Sequence, residues 1–246
     1  MLRGLRATIV AIVILAVVFL VATQILLPPF FTARLEETLR ARFPEARSLE
    51  VQVGGFPAYR LLLGVIGGIR VDGQELIFEG VPVDRLVLQG RDVRIDLGHW
   101  LRTGQLRVLD ARQLQARVDI SEGSVNRYLQ AQPLAGSLFV ARVDDDRLRI
   151  EGNLQLMGTP VSVRVEGDFE VRDGGSRIDF VPRHVSVDET VIPPVILDSL
   201  VRSEVLRVGV DLDVFPLPLQ VQEVELDPGW IVIHAQGRRG MAGVAP

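Results

Sequence analysis

The side chains best suited to acid–base or metal chemistry are three histidines and one acidic triplet. His99, His184 and His234 lie far apart in the 246-residue sequence, and no H-x-x-x-H or H-E-x-x-H spacing brings two of them onto one metal ion. The aspartates at 144–146 have the composition of a cation loop. Calcium loops need oxygen ligands at further spaced positions, so a solvated hairpin turn is the simpler interpretation. The sequence therefore predicts no metal site.

Motifs for covalent or phosphate chemistry are also missing from the sequence. It contains no cysteine, which excludes disulfides, thiol catalysis and zinc sites of the cysteine type. No G-x-S-x-G nucleophile elbow and no Walker-type phosphate loop occurs. The carboxylates of the predicted strands alternate with apolar residues and so belong to a solvated face. We expect no catalytic residues, no cofactor and no enzymatic activity.

The charge balance argues against a nucleic-acid partner. The sequence has 27 basic residues, all of them arginine, against 31 acidic ones, which gives a formal net charge of -4. Proteins that bind nucleic acid normally carry a basic domain or a basic face. A mildly acidic chain of this kind does not fit that class.

The most apolar part of the chain is its first 27 residues. Residues 7–27 carry no charge, and as a helix they would span about 31 Å, close to the hydrocarbon core of a bilayer. Arg3 and Arg6 precede this stretch, and the positive-inside rule keeps that end in the cytoplasm. Pro28-Pro29 is expected to end the helix. The pattern predicts a single-pass anchor at residues 1–27.

A cleaved signal peptide is the competing interpretation of the same segment. The apolar region of a cleavable signal usually has about 7–15 residues, and Val21-Ala22-Thr23 is a poor match to an A-x-A cleavage site. An uncleaved anchor in the cytoplasmic membrane is therefore favoured, with the rest of the chain outside the cytoplasm. If the segment is cleaved, the chain is secreted.

Residues 28–47 are predicted to form a juxtamembrane amphipathic helix. Phe31, Leu35, Leu39 and Phe43 recur every fourth residue and form one apolar stripe. Two alternatives remain open at this point. The helix is either a stalk above the membrane or an element docked on the domain that follows.

Period-two alternation of apolar and polar residues dominates residues 48–236, which is typical of antiparallel strands with one buried face. The clearest runs are residues 93–97, 148–156, 161–171 and 206–214. Turns are predicted where glycine, aspartate and proline cluster, at 72–73, 144–146, 158–160, 173–175 and 227–229. Short helices are predicted at 57–66, 121–131 and 194–205. Residues 237–246 show no periodicity and are predicted to be a disordered tail.

Three short helices are few for a sheet of this length. The sheet must curl around them, pack on itself or leave an apolar trough, since its apolar face has to be buried against something. A closed hydrophobic core is equally compatible with the pattern. The predicted class is α+β and mostly β, with a long curved antiparallel sheet around a few helices and one N-terminal transmembrane helix.

Several short motifs resemble those of the LmeA-like family of bacterial envelope phospholipid-binding proteins. The resemblance extends over about residues 31–238. The segments that carry it are Gly54-Gly55-Phe56-Pro57, Val118-Asp119-Ile120-Ser121-Glu122, Val125-Asn126-Arg127-Tyr128-Leu129, Leu156-Met157-Gly158-Thr159-Pro160-Val161, Pro216-Leu217-Pro218-Leu219 and Val224-Glu225-Leu226.

This resemblance implies a tubular lipid-binding fold that holds acyl chains in an apolar cavity. The family motif defines no site residue, so the candidates are apolar residues expected to face inward, each of which could equally be ordinary core. They are Phe56, Leu62, Ile66, Tyr128, Leu129 and Phe139.

The function expected from these observations is non-enzymatic binding of phospholipid at the outer face of the bacterial cytoplasmic membrane, with lipid transfer as its extension. The expected partners are phospholipid and the membrane. The alternative is a structural or interaction module of an envelope protein complex that holds no lipid. That module would have a closed core and an exposed apolar patch for a protein partner.

Overall fold

The computed structural model describes residues 2–78, 80–131, 139–156, 159–188, 190–191, 209–211 and 219–237. These residues form two antiparallel sheets, few helices and a long N-terminal apolar helix, so the predicted fold class is confirmed. The helix predicted at 194–205 lies outside the described residues. So do residues 238–246 of the predicted tail, whereas Gly237 ends the last strand.

The strands pair in sequence order within each sheet, apart from one return of the chain to the first sheet. The strands are β1 Ser48–Gly54, β2 Val65–Phe78, β3 Val81–Ile95, β4 Val108–Ser121, β5 Phe139–Val143, β6 Leu148–Leu156, β7 Thr159–Arg172, β8 Arg177–Val187, β9 Thr190–Val191, β10 Gly209–Asp211, β11 Leu219–Asp227 and β12 Trp230–Gly237. The first sheet has the order β1-β2-β3-β4-β12-β11, and the second has the order β10-β8-β7-β6-β5, with β9 paired to β8.

Helix α1 runs without a break from Leu2 to Arg42, so the prediction that Pro28-Pro29 ends it is wrong. Proline in a helix interior costs about 3 kcal/mol. Phe31 and Leu35 lie just beyond the prolines and are almost fully buried in the core of the first sheet. Burial of two such side chains contributes roughly 3–6 kcal/mol, which offsets most of the cost of the two prolines.

The two alternatives for the segment after the prolines are also resolved. The apolar stripe lies on the first sheet rather than standing clear of it, because Phe31 and Leu35 are buried there and Leu39 packs at the edge of the same cluster. The hydroxyl of Thr32 accepts a hydrogen bond from the backbone N–H of Val53 at 3.2 Å. The second half of α1 is thus a docked element of the domain.

Four short helical segments complete the described fold: α2 at Leu97–Thr103, α3 at Glu122–Ala131, and 3-10 turns at Ala58–Leu63 and Asp173–Gly175. Helix α3 confirms the helix predicted at 121–131. The hydroxyl of Ser121 accepts from the backbone N–H of Ser124 at 3.2 Å, as expected of an N-cap. Helix α2 was not predicted, and the Asp96 carboxylate caps it through the backbone N–H of His99 at 2.8 Å.

The helix predicted at 57–66 is shorter than expected. It is a 3-10 turn that stops at Leu63, because Gly64 adopts a left-handed conformation with φ +73° and β2 begins at the next residue. A Cβ on Gly64 would lie 2.6 Å from the carbonyl oxygen of Ile95. Only glycine fits so close to the neighbouring strand. Ile66 therefore belongs to β2.

The predicted turn at Asp72-Gly73 is wrong, since both residues lie inside β2. Gly73 faces the core, and a Cβ there would approach a methyl group of Leu76 to 3.0 Å. The glycine thus makes room for a large neighbour within the strand rather than reversing the chain. The turn predicted around residues 144–146 is confirmed between β5 and β6, as is the tight turn at 227–229 between β11 and β12.

The long strands of the first sheet end together at two opposite ends of the sheet, and the site is described relative to these two ends. Val65, Ile95 and Val108 lie at one end, which we call the proximal end. The distal end carries Phe78 and Ser121. The core consists of one cluster between α1 and the first sheet and a second one between α3, the second sheet and β12, and both clusters contact Phe169, Val224 and Ile233.

Candidate functional site

Three apolar chambers follow one another along the inner face of the first sheet. The proximal chamber has a volume of about 60 Å³, the middle chamber about 60 Å³ and the distal chamber about 110 Å³. They extend along β3, whose 15 residues correspond to roughly 50 Å of strand. The three chambers therefore lie in a row along the sheet rather than together in one compact pocket.

Helix α1 forms one wall of the proximal chamber, and the sheet forms the other. The chamber is closed on the α1 side by three residues of the apolar stripe, Leu35, Leu39 and Phe43. Leu35 is only 1% exposed, so its side chain faces the chamber and not the solvent. The sheet side is lined by Leu49, Ile66, Ile69, Val71, Leu76, Leu86, Leu88, Val93, Ile95, Leu106, Val108 and Leu114.

The middle chamber adjoins the other two and shares lining residues with each. Phe43, Leu76 and Leu86 line both the proximal and the middle chamber. Four residues, Val81, Ile120, Ile178 and Ile233, line both the middle and the distal chamber. Movement of these few side chains would therefore join all three spaces.

The distal chamber lies between α3 and the second sheet. Val125, Tyr128 and Leu129 of α3 form its cap, and Phe169 and Phe180 face one another across β7 and β8 with ring centroids 5.7 Å apart. Tyr128 is the one lining residue of the three chambers whose side chain carries a polar atom. The lining suits an apolar chain and offers almost no hydrogen bonds to a polar ligand.

A hydrogen-bonded cluster fixes the start of α3 over the distal end. One oxygen of the Asp84 carboxylate accepts from the backbone N–H of Ser121 and from the hydroxyl of Ser124, both at 2.6 Å. Arg127 donates to the same Ser124 hydroxyl at 2.6 Å. Burial by itself would raise the pKa of Asp84, but the hydrogen bonds from the two serines and the charge of Arg127 outweigh it and hold that pKa below its ordinary value.

Asn126 attaches α3 to the second sheet. Its side-chain amide donates to the carbonyl of Ala141 at 3.0 Å, and its side-chain carbonyl accepts from the N–H of Ala141 at 2.7 Å. Glu122, one turn earlier, accepts from the N–H of Val143 at 3.1 Å. These bonds give hydrogen-bond partners to backbone groups of β5 and hold α3 in place as the cap of the distal chamber.

At the proximal end, aromatic packing holds α1 against α2. The rings of Phe31 and Trp100 have centroids 5.7 Å apart, and the indole N–H of Trp100 donates to the hydroxyl of Thr38 at 3.3 Å. Nearer the N-terminus, the side chain of Gln24 accepts from the N–H of Ala58 at 3.0 Å. These contacts hold α1, one wall of the proximal chamber, against α2 and the 3-10 turn.

The six candidate lining residues from the sequence are divided between the inside and the outside of the molecule. Ile66 lines the proximal chamber, and Tyr128 and Leu129 line the distal one. Phe139 is half-buried at the start of β5 and is not among the residues lining a chamber. Phe56 is 73% exposed and Leu62 is 50% exposed, so both point away from the chambers. Contact of any of the six with lipid remains a prediction.

Most of the lining comes from residues that were not among the six candidates for cavity lining. They are the inward-facing residues of β2, β3, β4 and β12 and the stripe on α1. The period-two pattern identifies such residues as buried, but it does not separate cavity lining from closed core. That distinction depends on how far α1 and the second sheet stand from the first sheet.

The side chains considered for chemistry lie on separate elements. His99 is on α2, His184 is on β8, and His234 on β12 is 3.5 Å from the Glu225 carboxylate. Two of the three turn aspartates are engaged by arginines, since Asp146 pairs with Arg147 at 2.6 Å and Asp144 pairs with Arg149 at 3.1 Å. Within the described residues, no group of three or more histidines and carboxylates has the spacing of a metal site.

The sequence matches the model of one known protein family over most of its length. The model of a family described as LmeA-like phospholipid-binding matches residues 23–236, most of the chain. The chain belongs to this family. The LmeA-like region begins within α1 and ends within β12, so it includes the residues that line all three chambers. No curated protein and no solved structure matches the chain.

The LmeA-like region is preceded by the apolar half of α1. Residues Ile12–Ala41 form the one described helix that is long and apolar enough to cross a membrane. Only 6% of its most apolar window is buried, which distinguishes it from the core helix of a soluble protein. This segment is a candidate membrane anchor or signal.

Proposed function

We propose that this LmeA-like protein binds phospholipid without chemical conversion by taking acyl chains into the three adjoining chambers. The single observation that carries the proposal is the continuity of the apolar lining along the first sheet. Each buried CH₂ group contributes about 0.8 kcal/mol, so an acyl chain can be held without specific polar contacts. Transfer of lipid between sites is the extension of this function.

The location we propose is the outer face of the cytoplasmic membrane. The uncharged stretch at residues 7–27 is long enough to span the bilayer, and Arg3 and Arg6 favour a cytoplasmic N-terminus. Both sheets then stand outside the cytoplasm on a helix that continues directly into the wall of the proximal chamber.

Photocrosslinking of the full chain in nanodiscs tests the binding. The bilayer would contain a phospholipid with a photoreactive group near the end of one acyl chain, and crosslinked peptides would be mapped by mass spectrometry. We expect crosslinks on β3, β4 and α3 in addition to those in residues 7–27, which serve as the positive control. Crosslinks confined to α1 would contradict lipid entry into the chambers and would favour a structural module without lipid.

A further inference from the structure

The loop of residues 55–64, which we call the proximal loop, is fixed to α1 near the end of the uncharged stretch. Gln24 donates to the carbonyl of Gly55 at 3.4 Å and accepts from the N–H of Ala58 at 3.0 Å. Gln24 is less than one helical turn from Leu27, where that stretch ends. A membrane spanned by residues 7–27 therefore has its outer boundary at the level of this loop.

The proximal loop exposes an unusual amount of apolar surface. Phe56 and Leu63 are each 73% exposed, Leu62 is 50% exposed and Tyr59 is 41% exposed. On α1, Phe30 is exposed as well. Single exposed apolar residues are ordinary, but a contiguous group of large ones marks an interaction surface.

This surface is held rigidly outward. Ala58 and Leu61, on the other side of the same 3-10 turn, are 2% and 3% exposed and anchor the loop in the core. Gly64 ends the turn against the carbonyl of Ile95, with no room for a Cβ. The exposed side chains cannot reach the core unless these contacts break.

Arginines without a carboxylate partner surround the same end. Most arginines of the described residues are paired, such as Arg85 with Asp72 at 2.7 Å. Arg94, Arg102 and Arg107 are exposed, and no described carboxylate lies within 4 Å of their guanidinium groups. Arg94 is directly opposite Val65, the residue that follows the proximal loop. Unpaired cations beside an apolar surface match the charge and polarity of an anionic lipid interface.

We propose that the proximal loop docks into the outer leaflet of the membrane that α1 spans, with Phe56, Leu62 and Leu63 among the lipid tails and Arg94 facing anionic headgroups. The inference rests on the membrane location given under Proposed function. It explains why two of the candidate lining residues point away from the chambers. It also places the proximal chamber beside the leaflet from which lipid would enter.

Single-cysteine labelling of the full chain tests the docking, because the native sequence contains no cysteine. The variants Leu63→Cys, Leu15→Cys and Ile77→Cys would each carry an environment-sensitive fluorophore in phosphatidylglycerol nanodiscs. Leu15 lies in the uncharged stretch of α1, and Ile77, 44% exposed, lies at the distal end of β2. We expect the labels at 63 and 15 to be quenched by doxyl lipids and shielded from aqueous iodide, and the label at 77 to be open to iodide.

The three labels separate failure of the docking from failure of the anchor. A label at 63 as open to iodide as the one at 77, with the label at 15 shielded, would overturn the docking and leave the anchor intact. A label at 15 that is open to iodide would overturn both. Leu63→Cys combined with Arg94→Gln should lose part of its shielding, whereas the same label with Arg142→Gln, an exposed arginine on β5, should not. Equal shielding of the label at 63 in these two variants would show that Arg94 does not belong to the proposed surface.

Discussion

Asn126 attaches α3 to the second sheet through two side-chain hydrogen bonds. Ala141 is 0% exposed, and both its N–H and its carbonyl bond to the Asn126 side chain. Asn126→Ala would leave this buried pair without partners, at a cost of about 1–3 kcal/mol for each group. We expect the free energy of unfolding to fall by about 2–6 kcal/mol in chemical denaturation.

The matched control for this change is Asn153→Ala. Asn153 lies on β6 with an exposed side chain, so its removal should change the free energy of unfolding by less than about 0.5 kcal/mol. Similar losses in the two variants would mean that the bonds to Ala141 do not hold α3 in place.

Asp84 makes the stability of the fold depend on pH. Its pKa is lower in the folded state than the value of about 3.9 expected in the unfolded chain. The charged carboxylate therefore stabilises the fold at every pH above about 3.9, and this contribution is lost as the pH falls from there through the folded pKa. The native chain should accordingly be more stable than Asp84→Asn at neutral pH, and the difference should shrink in acid.

Denaturation of the native chain, Asp84→Asn and Asp145→Asn at several pH values between neutral and about 2.5 would measure this effect. Asp145 is exposed in the turn between β5 and β6 and serves as the control. A stability difference for Asp84→Asn that stays constant through the acid range would show that its charge is not the stabilising factor.

At the scale of the element, α3 is both a cap and a chamber wall. Leu129 is 9% exposed and lines the distal chamber, whereas Gln130 beside it is exposed. Leu129→Arg would put an unpaired charge into an apolar space, and we expect it to abolish uptake of fluorescent phospholipid or to unfold the domain. Gln130→Arg should leave both uptake and circular dichroism unchanged. A folded Leu129→Arg variant with native uptake would contradict the assignment of this chamber to lipid.

Helix α1 has two parts with different roles, and truncation separates them. A variant lacking residues 1–20 keeps Gln24, Phe31 and Leu35, so its unfolding midpoint should remain near that of the native chain. A variant lacking residues 1–36 loses the two buried side chains, each worth roughly 2–5 kcal/mol, and should fail to fold. Thermal melts followed by circular dichroism would check both, and equal midpoints would mean that α1 is only a tether.

For the molecule as a whole, the sequence predicts the strands better than it predicts their environment. Alternation identifies β6 and β7 because the apolar and polar residues that alternate along each strand mark its buried and its solvated face. Ser121 identifies α3 because an N-cap depends only on residues close to it in the sequence. The course of α1 past Pro28 could not be predicted in this way. It depends on the burial of Phe31 against strands that are distant in the sequence.

The same limit applies to the candidate site. Phe56 and Leu62 are as apolar as Ile66, and nothing local distinguishes a side chain that faces a chamber from one that faces outward. The difference arises at Gly64, where contact with the carbonyl of Ile95 ends the 3-10 turn. Ile66 then enters β2 and faces inward, while the loop before it stays on the surface.

If the three chambers act as one conduit, an obstruction between them should divide the bound lipid. Ile120 lines both the middle and the distal chamber and is half-buried, so Ile120→Trp would fill the space between them at a cost of about 1–3 kcal/mol. Ile77→Trp, on the exposed surface of β2, is the control. With a photoreactive acyl chain, crosslinks in the proximal chamber should persist in Ile120→Trp while those on α3 disappear. Unchanged crosslinking on α3 would mean that lipid reaches the distal chamber by its own opening, because the path from the proximal end would then be closed.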